Sequence, residues 1–321
     1  MAEFRMMTWN VENLFLTGTG AGPQTQADFD AKLTALAGVI GAQRPDVLAL
    51  QEVGQPDALA LLQQALADPF PHQELSTHPD QRGIRVAVLS RLPLRDPVQV
   101  HAFPTGLAPV QVGDPPNPTT PPATQAHMGR GALHVRVTAS GHDLVVVIVH
   151  LKSKLLSFPG HRFTPKDEDE RARFAAYALG LRAAEAVTVR THMSGVLGGD
   201  GPSRGVVLAG DLNDGVDAAT TQLLNGPPGS ELGTAGFDRP DQGDAQRMWN
   251  LAPLIPEAQR FSRVFHGRRE LIDHVLVSRF LVTKVAEVTT VAPGPLPSVT
   301  EHPAQHPGSD HAAVLATFNL P

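Results

Sequence analysis

The chain has 321 residues, a formal charge of −6, 29 glycines, 29 prolines and no cysteine. The lack of thiols excludes a disulfide scaffold, an iron–sulfur protein and a thiolate zinc site. The acidic balance excludes a basic nucleic-acid coat, so an anionic substrate has to be drawn in locally, by a metal or a few placed cations. The longest Val/Ile/Leu run, Leu144 to Val149, is far below the ~20 residues that span a bilayer. Met1-Ala2-Glu3-Phe4-Arg5 also lacks the basic-then-apolar form of a signal peptide, so a soluble protein of unassigned compartment is expected.

An extended N-terminal segment leads into Thr8-Trp9-Asn10-Val11-Glu12. Phe29, Leu33, Leu36, Ala37 and Ile40 then share one face of a helix that ends near Pro45. A β run covers Asp46 to Leu50, and Leu59, Leu62 and Leu66 mark a shorter helix with Pro56 in its first turn. Further β runs cover Ile84–Leu89, Leu133–Val137 and Leu144–Val149. A longer helix is predicted from about Glu168 to Arg190, lined by Phe174, Tyr177, Leu181 and Ala184. The last β runs are Val206–Ala209, Leu271–Val277 and Ala312–Phe318. Gly106–Gln125, Gly195–Gly205, Gly226–Gly243 and Ala292–Gly308 are rich in proline, glycine or histidine and read as loops. Because β runs resume on both sides of each, one domain over residues 1–321 is expected, and no internal repeat is visible. Strands interleaved with helices indicate α/β or α+β layers.

What ends the β runs carries the chemistry. Asn10 and Glu12 follow the first segment, Glu52 ends the next run, and His150 ends Leu144–Val149, with Lys152 and Lys154 just beyond. Asp211, Asn213 and Asp214 follow Val206–Ala209, Asp310-His311 precedes the last run, and Asp273 stands within Leu271–Val277. Each has a structural explanation alone: a turn residue, a helix-start acid, a satisfied strand-end histidine. Together they place hard-oxygen donors and imidazoles at the ends of six hydrophobic segments, and ligands bind outside strand ends in layered sheets. Carboxylates, amides and histidines without thiols suit Mg²⁺ or Mn²⁺ better than structural zinc, with Ca²⁺ also compatible. Phosphoryl or phosphodiester hydrolysis is the chemistry such a cluster most often serves.

These segments resemble the endonuclease/exonuclease/phosphatase superfamily. The matching pieces are Thr8-Trp-Asn-Val-Glu-Asn-Leu14, Gln51-Glu-Val53, Val149-His-Leu-Lys-Ser153, Gly210-Asp-Leu-Asn-Asp214, Ile272-Asp-His274 and Ser309-Asp-His311, in the family's order. The resemblance implies a four-layer sandwich, with two mixed β-sheets packed face to face and helices on both outer faces. It implies Glu52 as the principal metal ligand with Asn10 close by, and Asp310 as a further metal-side carboxylate. Asp211, held by Asn213, matches the residue that activates or orients water. His311 matches the histidine at the scissile phosphate, Asp273 the acid that orients it, and His150 a second phosphate-stabilising group. One departure is Glu12, where many family members carry Asp. Its extra methylene moves the carboxylate by roughly 1.5 Å, leaving open whether Glu12 reaches the metal, binds it through water or only supports Asn10.

Other motifs lead elsewhere. Gly201-Pro-Ser-Arg-Gly205 fits G-x-S-x-G, but a Gly-rich loop precedes it and a strand follows, the wrong context for a nucleophile elbow. Gly18-Thr-Gly-Ala-Gly22 lacks the Lys-Ser/Thr of a P-loop and reads as a loop. His302 and His306 each precede proline, which disfavours a helical metal string with His311 and suggests a mobile loop beside the site. Arg82 and Lys152 flank β runs that reach the crevice and are the candidate substrate-phosphate contacts. The expected protein is thus a monomeric, Mg²⁺- or Mn²⁺-dependent phosphodiesterase, with nucleic acid as the favoured substrate. The alternatives are a phosphomonoesterase or lipid-head-group phosphodiesterase of the same superfamily, or a binding protein that kept the fold. One Tyr and two Trp do not make the aromatic, basic surface of a dedicated single-strand binder.

Overall fold

The structure, a computed structural model, describes residues 2–19, 22–160, 162–292, 294–299 and 307–321. In chain order the elements begin with β1 (Ala2–Leu14), α1 (Gln26–Gln43), β2 (Val47–Val53), α2 (Pro56–Ala65), β3 (His72–Leu75), β4 (Arg85–Ser90) and β5 (Arg95–Ala102). A short ribbon, β6 (Val110–Gln111) with β7 (Thr124–Gln125), precedes β8 (His127–Ala139), β9 (His142–His150), α3 (Glu168–Leu197), β10 (Gly205–Asp211) and α4 (Ala219–Asn225). Then come β11 (Trp249–Asn250), a second ribbon of β12 (Arg263–Phe265) and β13 (Arg268–Glu270), β14 (Asp273–Val277), α5 (Arg279–Val282), β15 (Val285–Val291) and β16 (Ala313–Leu320).

Twelve of these strands form two six-stranded sheets, ordered β15-β16-β1-β2-β4-β3 and β11-β14-β10-β9-β8-β5. Each has one parallel pair at its centre, β1/β2 and β9/β10, and antiparallel neighbours elsewhere. A parallel pair needs a crossover, supplied by α1 in the first sheet and α3 in the second. The sequence shows no internal repeat, yet the two sheets repeat one topology.

The period-2 alternation of strands builds the layers. In β1, Phe4 and Met6 join Leu133, Val146, Ile148 and Val207 of the second sheet in a core between the sheets. Met7, Trp9 and Val11 point the other way, against Phe29, Leu33, Leu36 and Ile40 of α1 and Leu59 and Leu62 of α2. Val145, Val147 and Leu208 likewise meet Ala186, Val189 and Met193 of α3. Four layers result, as expected.

Three local differences have physical causes. The four edge strands β3, β5, β11 and β15 lack the apolar runs that mark inner strands, because one side of each needs no covering; β5 is largely exposed. Helix α3 continues past Arg190 and through Gly195, into the segment read as a loop, because Met193 and Leu197 are buried on the second sheet. An interior glycine costs a helix only ~1 kcal/mol, and the end comes at Gly198, whose φ of 58° provides the left-handed cap. Asp273 opens β14 instead of interrupting it.

Candidate active site

The parallel pairs set the site. In the first sheet Asn10 pairs with Gln51, one residue before Glu52; in the second, His150 pairs with Asp211. Asp211 is also opposite Asp273 on β14, so it stands between an imidazole and a second carboxylate on adjacent strands. The chain reaches Asp211 through Gly210, φ +149°, where a Cβ would lie 1.9 Å from the Val149 carbonyl. Only glycine fits there.

Backbone strain gathers at the same strand ends. Of eight non-glycine residues with positive φ among the described residues, four are Glu12, Asn13, Glu52 and Asn213. The β1/β2 and β2/β4 ladders lose register beside Asn10 and Glu52, as bulges do when they redirect side chains.

Contacts link nine of the sequence-predicted residues into one cluster. Asn10 Nδ2 donates to Glu52 Oε1 at 3.3 Å and to Asp211 Oδ2 at 3.0 Å, joining the two sheets. Asn10 Oδ1 accepts the Glu12 N–H at 3.0 Å, and Glu52 Oε2 accepts that of Asn13 at 3.0 Å. Glu12 reaches across to accept the Asp310 N–H at 3.1 Å. Asp211 Oδ1 accepts the Asn213 N–H at 2.8 Å, while His150 Nε2 lies 3.4 Å from Asp211 Oδ2. His311 Nδ1 is 2.7 Å from Asp273 Oδ2, and its Nε2 is 3.9 Å from Asp310 Oδ1. Ser309 Oγ donates to the Asn10 carbonyl at 2.6 Å and Trp9 Nε1 to the His311 carbonyl at 2.8 Å, which tie the His311 segment to β1. Asn10, His150, Asp211, Asn213, Asp273 and His311 are buried. Two buried atoms of the cluster, Asp273 Oδ1 and His150 Nδ1, have no hydrogen-bond partner, a condition a ligand or water relieves.

Charge is divided within this cluster. Burial and the facing Asp273 raise the Asp211 carboxyl to about 7, against the opposing influence of His311 and the Asn10 and Asn213 hydrogen bonds. Burial pushes His311 down, but Asp273, Asp310 and Asp211 outweigh it and raise the imidazole to about 10. Burial and the charge of Arg130 hold His150 well below the usual imidazole range. Near neutral pH these shifts favour a cationic His311 and a neutral His150, with Asp211 more readily protonated than an ordinary carboxyl.

Asp211, Asp273 and His311 have potential ligand atoms within 4.8 Å of one another. The carboxylates of Glu12, Glu52 and Asp310 with the Asn10 amide are hard-oxygen donors without thiol, the donor chemistry of Mg²⁺ or Mn²⁺, but they are not drawn together as closely as Asp211, Asp273 and His311.

The expected phosphate contacts are placed differently from one another. Arg82 is half exposed, 3.8 Å from Asp80. It lines a cleft of about 330 Å³ with Phe15, Gly54, Gln55 and Arg85. The Lys152 ammonium instead donates to the Ser153 and Leu155 carbonyls at 3.0 and 2.9 Å. Burial and Arg130 lower it to about 8.

Among the buried charges that sequence reasoning missed, three lie beside the cluster. Lys32 donates to the Gly308 carbonyl at 2.8 Å and feels the carboxylates of Glu12, Asp310 and Glu52, though burial lowers its pKa. Arg130 donates to Asp80 at 3.1 Å and to the Leu151 carbonyl at 3.2 Å. Glu185 accepts the backbone N–H groups of Gly129 at 2.8 Å and Lys152 at 2.6 Å. Lys32 and Glu185 lie within the apolar stripes of their helices, beside Phe29 and Leu33 and beside Ala184 and Ala186; a charge inside such a stripe was the available signal. The G-x-S-x-G segment is a turn, with the Ser203 N–H donating to Asp200, and it feeds a strand. His302 and His306 lie outside the described residues.

The sequence profile of the Endonuclease/Exonuclease/phosphatase family matches residues 7–311. The chain belongs to this family of phosphoester hydrolases. Among solved structures, truncated Caenorhabditis elegans TDP2 aligns with a TM-score of 0.58 at 16% identity, covering 99% of this chain and 98% of that one. The endonuclease/exonuclease/phosphatase from Bacteroides vulgatus aligns with a TM-score of 0.58 at 14% identity over 100% of both chains. That from Beutenbergia cavernae gives 0.52 at 21% identity, covering 99% of this chain and 72% of its own. These likenesses establish the sandwich fold. No curated protein matched the chain. Among the described residues no helix is long and apolar enough to cross a membrane.

Proposed function

We propose that the chain, as one catalytic domain acting as a monomer, is a divalent-metal-dependent phosphodiesterase that hydrolyses nucleic acid by attack of water at phosphorus. The observation that carries this reading is the placement of Asp211 between His150 and Asp273, with the His311 ring held on Asp273. Both groups are raised, the Asp211 carboxyl toward one that can accept a proton and the His311 imidazole toward a standing cation, so their environments assign them different roles. Asp211, with a pKa of about 7, takes a proton from the attacking water, and Asn10 and Asn213 fix its two oxygens. His311 places positive charge against the oxygens of the pentavalent phosphorus, and Asp273 fixes the ring through Nδ1. His150 faces the same oxygens as a neutral group, and Arg82 contributes from the cleft rim. Lys152 contacts substrate only if its ammonium leaves the Ser153 and Leu155 carbonyls. Glu52, Asp310 and Asn10, with Glu12 beside them, hold the Mg²⁺ or Mn²⁺; the metal supplies charge that offsets the anionic phosphate.

The test is a panel of plasmid DNA, single-stranded DNA, RNA, bis-p-nitrophenyl phosphate and p-nitrophenyl phosphate, with Mg²⁺, Mn²⁺ or Ca²⁺, after metal stripping. Cleavage of the diesters that stops in EDTA is expected. Full diesterase activity of stripped protein in EDTA overturns the metal dependence, and preference for p-nitrophenyl phosphate replaces the reading with a phosphomonoesterase.

A further inference from the structure

Tyr and Trp are scarce, but the chain has 14 histidines, and three of them form an aromatic surface. His78 follows β3, His101 is on β5 and His127 opens β8. The His78 and His101 ring centroids are 4.1 Å apart with planes inclined by 5°, and those of His101 and His127 are 4.5 Å apart at 27°. The stack is anchored at both ends: the His78 carbonyl accepts the Gly131 N–H at 3.0 Å, and His127 Nδ1 is 2.8 Å from the Met128 carbonyl. A carbonyl only accepts, so Nδ1 carries the proton and the His127 ring is fixed in orientation. Near-parallel rings also cannot aim their lone pairs at one ion, because a ligating imidazole holds a metal in its own plane. Burial and the two flanking rings lower His101, which favours a neutral middle ring. His127, at one end of the stack, is exposed.

This stack stands at the catalytic end of the second sheet. Leu133 pairs with Ile148, and continuing that register sets Gly131 level with His150. Arg130, next to Gly131 on β8, is buried at this end of the sheet, and its charge acts on His150. From β10 across β9 to β8 is ~10 Å, and His127 lies four residues beyond Gly131 along β8, ~13 Å further, so the platform is roughly 15 Å from Asp211. A small phosphoester at Asp211 and His311 does not reach it.

We propose that the outer face of His127 is a stacking platform for a nucleobase of a single-stranded nucleic acid whose backbone runs from there to Asp211 and His311. A duplex keeps its bases stacked on one another, so this face selects single strands or frayed ends. The proposal names the substrate form for the phosphodiesterase reading and rests on it for the position of the scissile bond.

Fluorescence anisotropy tests it with a labelled, cleavage-resistant phosphorothioate strand of six thymidines in Mg²⁺, and with the same strand carrying one abasic position in turn. His127→Ala is expected to bind the intact strand roughly 5- to 150-fold more weakly, the range for losing one base–aromatic stack. His127→Phe keeps the affinity. At one position, base removal weakens wild type by a similar factor and adds nothing in His127→Ala. The proposal is overturned by equal affinity of wild type and His127→Ala, by His127→Phe binding as poorly as His127→Ala, by additive losses, or by no binding to wild type. Hydrolysis of bis-p-nitrophenyl phosphate, expected unchanged in His127→Ala, reports separately on the phosphodiesterase reading: its absence from wild type overturns that reading and leaves the binding result to judge the platform.

Discussion

The two β–α–β units, β1-α1-β2 and β9-α3-β10, have the same connectivity and end at the same place, but the charges gathered beside them differ, although β10 of the second also ends on an acid, Asp211. The first presents Glu12 and Glu52 at its strand ends, and α1 sets the buried cation Lys32 beside them. The second brings up Lys152 and, from neighbouring β8, Arg130; α3 sets the buried acid Glu185 beneath both. Each crossover helix therefore carries the counter-charge of its own strand ends. A half rich in carboxylates suits a cation and a half rich in arginine and lysine suits a phosphate, so one repeated topology yields two complementary surfaces meeting at Asn10 and Asp211.

The group that joins the halves should be the most sensitive. His311 precedes β16 of the first sheet, while its partner Asp273 opens β14 of the second. His311→Ala is expected to lower kcat by roughly 10²–10⁴ with little change in KM, because the imidazolium acts mainly in the transition state. Asp273→Asn should lose much of the same effect through a misoriented ring, and the double variant should be scarcely worse than His311→Ala. Multiplicative losses in a double-mutant cycle on kcat, with circular dichroism confirming the fold, would mean two independent residues.

Within the first half, Glu52→Gln keeps the shape of the side chain but removes its charge. A unit charge pair at 4 Å is worth ~4 kcal/mol at an effective dielectric of 20, before hydration is subtracted. A loss of roughly 10²-fold in Mg²⁺ or Mn²⁺ affinity is expected by calorimetry, with Lys152→Met close to wild type. Equal affinities for wild type and Glu52→Gln would take Glu52 out of the metal site.

Lys32→Met should act in the opposite direction. Without the ammonium, Glu12, Glu52 and Asp310 repel one another more strongly until a metal binds. Metal affinity should rise roughly 10-fold, about 1.4 kcal/mol, and the gap between Tm in EDTA and Tm in saturating Mg²⁺ should widen. An unchanged gap would show that Lys32 only fastens the Gly308 carbonyl.

The inner strands were legible because they are buried on both faces and read as apolar runs, as Leu144–Val149 does. The edge strands were not: Arg95–Ala102 contains Arg, Asp, Pro, Gln and His, and its strand character comes from pairing with β8. The polar cluster was legible for a related reason. Asp211, His150 and Glu52 interrupt hydrophobic segments where packing alone calls for none of them. The direction of the Lys152 side chain was not, since the turn that follows β9 supplies carbonyls no spacing rule foretells. Glu185 was missed because its partners, the N–H groups of Gly129 and Lys152, lie 56 and 33 residues away in sequence.

Glu185 also gives the mildest test of the comparison. Its two oxygens accept one backbone N–H each, from the strand that carries Arg130 and from the segment just after His150. In Glu185→Gln the amide nitrogen replaces one acceptor with a donor, so one buried N–H loses its partner. That costs roughly 1–3 kcal/mol, read as a lower midpoint in urea. The catalytic loss should be smaller, several-fold in kcat/KM, because Glu185 touches no substrate and acts by holding Arg130 and the His150 segment in register. Glu185→Ala should lose more of both, since it frees both N–H groups and leaves a cavity. If the second half is anion-binding in the sense the charges indicate, removing this acid leaves Arg130 and Lys152 less compensated, and inhibition by inorganic phosphate should strengthen while Mg²⁺ affinity stays unchanged. Weaker phosphate inhibition together with altered metal affinity would mean that α3 serves the whole cluster and that the division between the two halves is wrong.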